Sequence, residues 1–194
     1  AKVVHPRAVE IVMQRNIPMR VRSTFNDLPG TLVTTTGEVY KGSIDITRDR
    51  LITGITHISH LVQFKVHFDA GPDGLKQQRR LFKALALAGI SLDFINVFPH
   101  QVVFTVKEEV AEKTAQVLEN TGFTPEITPS CAKVAAVGAG MTGVPGVMAA
   151  IVDALSKEGI PILQCNDSYT TIWVLVRQDD MERAVRALHR QFIK

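Results

Sequence analysis

Lys133 to Met148, KVAAVGAGMTGVPGVM, carries the residues best suited to hold a ligand. An apolar run ends in glycines and re-enters an apolar, helix-forming segment, which reads as strand, open turn, helix. The start of such a helix presents backbone N–H groups without internal partners, and its dipole adds a partial positive charge there. That end suits a carboxylate or a phosphate. Gly138, Gly140 and Gly143 also fit the G-x-G-x-x-G pattern of dinucleotide sites. A dinucleotide site needs a parallel βαβ sheet, an acidic residue ending the second strand and further βα units. The repeat instead predicts an antiparallel module, only about fifty residues follow the run, and the equivalent turn of an earlier copy, Ala70-Gly71-Pro72-Asp73-Gly74, lacks the pattern. Taken alone, the glycines fit a tight turn as well as a ligand contact.

A second polar group, Asn166-Asp167-Ser168, falls between two predicted strands. By itself it reads as a solvated β-turn. Its predicted place, beside the turn of Met141 to Gly146, gives it another use. A free amino acid needs a positive end for its carboxylate and an acceptor for its ammonium. Backbone N–H groups near Val144 to Val147 supply the first, and Asp167 with its neighbouring carbonyls the second. In the earlier copy these roles fall to Asp73-Gly74 and to Ser91-Leu92-Asp93. Arg79, Arg80 and Lys83 read as a solvated helix face, and Trp173 as interface or core. Residues 51–194 contain no nucleophile–base pair, carboxylate pair or Walker loop. The two cysteines, Cys131 and Cys165, sit in apolar sequence surroundings and are expected to be reduced thiols. No cysteine–histidine spacing suits a metal.

The elements that must position these groups follow from periodicity. Ala8, Val9, Val12 and Met13 form one helical face after Pro6, and Ile17 to Ser23 and Thr31 to Thr36 are β-prone around an Asn26-to-Gly30 turn. Residues 38–50 are a polar connector. Strands are predicted at 52–55, 61–68, 91–97, 101–106 and 123–127, with helices at 75–88 and 111–120. The next segment repeats the order: strand 133–137, helix 147–157, strands 162–165 and 171–176, helix 181–192. The two copies align without gaps at one offset of seventy residues, from Gly89 to Gly159. Leu85 then meets Leu155, Ile90 meets Ile160, Phe104 meets Val174 and Val106 meets Val176. This predicts a duplicated β-α-β-β-α-β unit: an antiparallel four-stranded sheet with two helices on one face, leaving an edge and a face open to a second copy.

The bulk numbers agree with a globular chain. It has 194 residues, 45% hydrophobic and 21% charged. A net charge of +3 argues for no nucleic-acid partner, and no run has the length and apolarity of a membrane span. Ala1 opens in mid-pattern, so residues 1–50 read as the tail of a longer domain.

These residues carry a family likeness. Ala1-Lys2-Val3-Val4-His5-Pro6-Arg7-Ala8-Val9-Glu10, with Ile17 to Thr24 and Pro29-Gly30-Thr31, resembles the end of the aspartate kinase catalytic domain. Leu51-Ile52-Thr53-Gly54-Ile55, Val137 to Met141 and Pro145-Gly146-Val147 resemble the paired ACT modules that follow it. Gln164 to Val174 is most similar to the Bacillus-type class that responds to diaminopimelate. The resemblance implies a cytoplasmic enzyme that phosphorylates L-aspartate with ATP and Mg, and modules that sense an end product. It also implies that modules of two chains pair into one sheet, with the effector at their interface. The matching positions are Asp73, Gly74, Ser91, Leu92 and Asp93 in the first module. In the second they are Met141, Val144, Pro145, Gly146, Val147, Asn166, Asp167 and Ser168. The first-module turn, Asp73 to Gln77, departs from the usual Pro-Gly with small residues after it. Lys2 matches a lysine near the nucleotide phosphates.

The expected fold is therefore α+β, with two ferredoxin-like βαββαβ ACT modules after a kinase remnant. The expected domains are 1–50, the end of the catalytic domain; 51–60, a strand of the second module; 61–130, the first module; and 131–194, the second. The expected function is feedback control of aspartate kinase by meso-diaminopimelate, lysine or threonine in a homodimer. This piece needs no cofactor or metal and has neither a nucleic-acid nor a membrane partner. The alternative is a dimerisation scaffold that holds no effector.

Overall fold

A computed structural model describes residues 4, 8–9, 11–12, 15, 17–33, 52–138, 145–168 and 170–193. The chain divides into two compact units, Ala1–Asp49 and Arg50–Lys194. In the first, Ala8, Val9, Ile11 and Val12 are helical. Strands β1 (Met19–Val21) and β2 (Thr31–Val33) pair antiparallel, Met19 opposite Val33. Arg20 donates to the carbonyl of Pro29 across the connection (3.0 Å). The predicted connector at 38–50 and Lys2 lie outside the described residues.

The second unit is built on two long strands, β3 (Gly54–His67) and β6 (Glu126–Val137). Between them come helix α1 (Pro72–Leu87), strands β4 (Asp93–Phe98) and β5 (Gln101–Lys107), and helix α2 (Ala111–Asn120). After β6 come helix α3 (Val147–Lys157), strands β7 (Gln164–Asp167) and β8 (Thr171–Arg177), and helix α4 (Met181–Phe192). All six strands join one antiparallel sheet in the order β4-β5-β3-β6-β8-β7. Among the described residues no helix is long and apolar enough to cross a membrane.

The duplication is visible in this order. The first half runs β3-α1-β4-β5-α2-β6. The second runs β6-α3-β7-β8-α4 and takes its remaining strand from the start of β3, where Gly54–Ile58 pairs with Lys133–Val137. The helix ends match atom for atom. Gly89 and Gly159 have φ of 69° and 68°, a left-handed conformation that costs glycine little. Behind them Ile90 N donates to Leu85 O, and Ile160 N to Leu155 O, each at 3.0 Å.

Alternate strand residues face the helices of their own half. Val62, Phe64, Val66, Phe104 and Val106 pack with Leu81, Leu85 and Leu118. Val134, Ala136, Val174 and Val176 pack with Ile151, Leu155, Ala184 and Leu188. Phe64 and Phe104 stack at 5.6 Å between ring centres.

Strand boundaries differ from the sequence expectation. The strands expected at 52–55 and 61–68 are one strand, and those expected at 123–127 and 133–137 are another. His60 (φ 58°) and Ser130 (φ 52°) sit where the β3–β6 register shifts. These bulges bend the strands without ending them, and the polar His57-Ile58-Ser59-His60 and Thr128-Pro129-Ser130 stretches imitate breaks in sequence. Each half nevertheless keeps the expected four antiparallel strands, β4-β5-β3-β6 and β3-β6-β8-β7, and the two sets share β3 and β6. The strand expected at 162–165 also begins later, at Gln164.

Candidate functional site

The ends of the sheet meet. Strands β4 and β7 are last at either side of the strand order, yet Gln164 Nε2 of β7 donates to Asn96 Oδ1 of β4 (2.7 Å) and to the carbonyl of Phe94. Gln63 Nε2 of β3 donates to Gln164 Oε1 at 2.9 Å. The face turned away from the helices thus closes over a third cluster, Leu61, Phe94, Cys131 and Leu175. The amide network satisfies polar groups that this closure takes out of water.

Beside the network the closure leaves a cleft of about 370 Å³. One wall is the start of β4, with Leu92, Asp93, Phe94 and Ile95; the other is Asn166, Asp167, Ser168 and Thr171 of the β7–β8 hairpin. Lys133 and Trp173 complete it. Phe94 has φ 54°, at a register shift between β4 and β5, and its side chain is buried. Asp93 is fixed through three atoms. Its Oδ1 accepts from Phe94 N (2.8 Å), its Oδ2 accepts from Lys133 Nζ, and its carbonyl accepts from Thr105 Oγ1 (3.2 Å). Lys133 reaches this point from β6, on the sheet face opposite Val134. Its ammonium stands 5.0 Å from the centre of Trp173 and 5.4 Å from that of Phe94, a cation–π contact with each.

The hairpin wall is held by its own hydrogen bonds. Ser168 N donates to Thr171 O (2.8 Å), the two side-chain hydroxyls lie 2.6 Å apart, and Asp167 N donates to Asn166 Oδ1 (2.9 Å). Gly138 N, opening the glycine run, donates to Thr170 O at 2.9 Å. The hairpin therefore lies beside the start of that run.

The two helix starts differ. Helix α3 follows Gly146 (φ 94°), has no acidic residue in its first turn, and among the described residues receives no side-chain cap for its first N–H groups. Helix α1 starts with Pro72, which has no N–H, and carries Asp73 in its first turn, paired with Lys76 at 2.9 Å. Asp73 brings its own negative charge to the dipole. Gly74 is buried there, and a Cβ on it would lie 2.1 Å from the carbonyl oxygen of Asp69.

Of the residues singled out from sequence, Leu92, Asp93, Asn166, Asp167 and Ser168 line one cleft. Ser91 directly precedes it. Asp73 and Gly74 open α1, and Pro145, Gly146 and Val147 open α3, all outside the cleft lining. Met141 and Val144 lie outside the described residues. Sequence reasoning missed Lys133, Phe94, Ile95 and Thr171 as cleft residues and treated Trp173 as interface or core. A lysine inside the apolar run Cys131 to Val137, two strand positions from buried Cys131 and Ala135, was the available signal. The cysteines, alike in their apolar sequence surroundings, separate in the structure: Cys131 is buried, whereas Cys165, on edge strand β7, is exposed. Burial pushes the Cys131 thiol pKa up.

The fold and cleft can be set against known proteins. A family model described as ACT domain matches residues 126–190. The crystal structure of aspartokinase alpha and beta subunits is 30% identical, with a TM-score of 0.65, over 73% of this chain and 98% of that one. The chain belongs to the aspartokinase family. Aspartokinase 1 of Bacillus subtilis is 52% identical over 192 residues, which is 99% of this chain and 46% of that protein. The chain spans about half the length of the curated aspartokinases it matches. The regulatory subunit of aspartate kinase from Thermus thermophilus is 29% identical, with a TM-score of 0.65, over 73% of this chain and 99% of that one. The chain thus corresponds to the regulatory, ACT-containing region of an aspartokinase.

Proposed function

We propose that this region binds a free end-product amino acid, meso-diaminopimelate, lysine or threonine, and through it sets the activity of a cytoplasmic aspartokinase. The complete enzyme transfers a phosphoryl group from ATP to the side-chain carboxylate of L-aspartate, giving 4-phospho-L-aspartate. In this reading ATP and Mg belong to the complete enzyme, and Lys2, which matches a lysine near the nucleotide phosphates, lies outside the described residues.

The observation that carries the proposal is that Leu92-Asp93 and Asn166-Asp167-Ser168, from different copies of the repeat, face each other across one cleft. Asp93 and Asp167 suit an ammonium, and the uncapped start of α3, next in sequence to the glycine run that Gly138 ties to the hairpin, suits a carboxylate. Control follows by linkage. An effector that prefers one arrangement of the modules shifts the kinase by its differential affinity, typically about 1–3 kcal/mol.

Edge strand β4 exposes Ile95, Val97 and Phe98. Such an edge favours pairing with a second copy, so a homodimer accompanies the proposal, and a scaffold without effector is its rival. Calorimetry separates them. Saturable heat with at least one of the three amino acids supports sensing. Heat with none leaves the scaffold, and binding of a nucleotide by this chain alone contradicts both.

A further inference from the structure

We propose that the outer face of the α1–α2 helix pair is a self-complementary docking surface for a second copy of this chain, with α1 of each copy lying on α2 of the other. This face is separate from the β4 edge and from the cleft.

Helix α1 turns Leu81 and Leu85 into the core, so helical periodicity points Lys76, Arg79 and Lys83 outward, and all three are exposed. Helix α2 turns Thr114 and Leu118 inward and leaves Glu112 and Glu119 exposed. The two helices lie side by side and run in opposite directions. Lys113, early in α2, donates to the carbonyl of Ala88 at the end of α1 (2.7 Å). Arg80, halfway along α1, stacks on Phe123 beyond the end of α2 (4.9 Å). The outer layer of the first repeat is therefore a basic stripe beside an acidic one.

The second repeat handles its charges differently. Lys157 pairs with Asp153 (2.6 Å), Arg183 with Asp180 (2.7 Å), Arg186 with Glu182 (3.2 Å) and Arg190 with Glu158 (2.5 Å). Seventy residues after Arg79, Arg80 and Lys83 stand Ala149, Ala150 and Asp153. In the first repeat Lys76 is paired with Asp73, but Arg79, Lys83, Glu112 and Glu119 make no ion pair among the described residues. Lys76, Arg79, Arg80 and Lys83 also stand three and four residues apart, a like-charge spacing that disfavours a helix. Interspersed signs would keep such a face soluble without that cost.

Segregated signs do fit a partner whose charges run the opposite way, and the chain itself supplies one. A two-fold axis parallel to the helices, between the two layers, sets α1 of each copy against α2 of the other, as in a four-helix bundle. Arg79 and Lys83 then meet Glu112 and Glu119 twice over. Leu87, one turn beyond Lys83 and 80% exposed, is covered in the same contact. A largely polar contact of this kind is weak and salt-sensitive.

Sedimentation velocity of the native chain at low and high salt tests this. Screening shortens from about 10 Å at about 0.1 M salt to about 3 Å at about 1 M. One doubling step should therefore be present at low salt and lost at high salt, whereas pairing through the apolar β4 edge alone gives a step that survives. Two variants isolate the face. Arg79→Glu with Lys83→Glu makes both stripes acidic, and Glu112→Lys with Glu119→Lys makes both basic. Each should lose at least about tenfold in the association constant at low salt. Mixed in equal amounts, the two variants should pair with each other at native strength. The changed side chains are exposed, so urea midpoints should stay near native, and the salt dependence of the native chain stands even where a variant fails to fold. A mass that does not change with salt leaves the face to water or another occupant and overturns the proposal. So do variants that associate like the native chain, or reversed chains that stay apart when mixed.

Discussion

Replacing Gln164 by leucine should loosen the closure on which the cleft depends. The side chain is buried and makes three hydrogen bonds, to Gln63, to Asn96 and to the Phe94 carbonyl. Asn96 is half-buried and can turn to water; Gln63 and the Phe94 carbonyl cannot do so readily. A buried polar group left without a partner costs about 1–3 kcal/mol. Two of them cost about 2–6 kcal/mol, offset by about 1.5–3 kcal/mol for burying the leucine. The net expectation is a loss of about 1–3 kcal/mol, read as a lower urea midpoint at unchanged slope. Gln63→Leu combined with Gln164→Leu removes donor and acceptor together, so the double variant should recover about 1 kcal/mol against the sum of the singles. A Gln164→Leu variant as stable as the native chain, or strict additivity in the double variant, would show that β4 and β7 do not depend on this network.

Other outcomes follow from single sites. A thiol reagent at neutral pH should modify Cys165 quickly and Cys131 only on unfolding, because burial raises the Cys131 pKa and blocks access; mass spectrometry of the labelled peptides decides it. Glu126 is held below its usual pKa of 4.5 by hydrogen bonds from Lys65 and then His67. Its contribution to stability is therefore present above that value and is lost as pH falls below it toward the depressed one. Glu126→Gln should lower stability slightly in the neutral range and converge with the native chain at low pH, so that the acid limb is flatter. Gly74→Ala should lower the urea midpoint, since the new methyl meets the Asp69 carbonyl; a variant of native stability would mean that the start of α1 yields freely.

Much of this architecture is readable from residue order because it rests on local rules. The seventy-residue offset joins Gly89 to Gly159 through a shared helix-end conformation, and the boundaries of α2, α3 and α4 follow from 3.6-residue periodicity, with a glycine stop after α2 and α3. The continuity of β3 and β6 is not readable, since a bulge at His60 or Ser130 leaves the same polar trace as a loop. Half of the cleft is readable. Asp93 and Asp167 stand out as carboxylates beside turns. That they share one cavity depends on the sheet closing on itself, which is fixed by Gln63, Gln164 and Asn96 acting across long separations. Lys133 is hidden for the same reason: its place in the cleft needs Phe94 and Trp173 brought to it by other strands.

Backbone hydrogen exchange of the native chain, with and without each candidate amino acid, tests the central claim most directly. One of the three should slow exchange at residues 92–95 and 166–171 together, because both walls of one cleft would close on the ligand. Saturating amino acid that protects neither segment, or protects only one, would contradict a shared site built from the two copies.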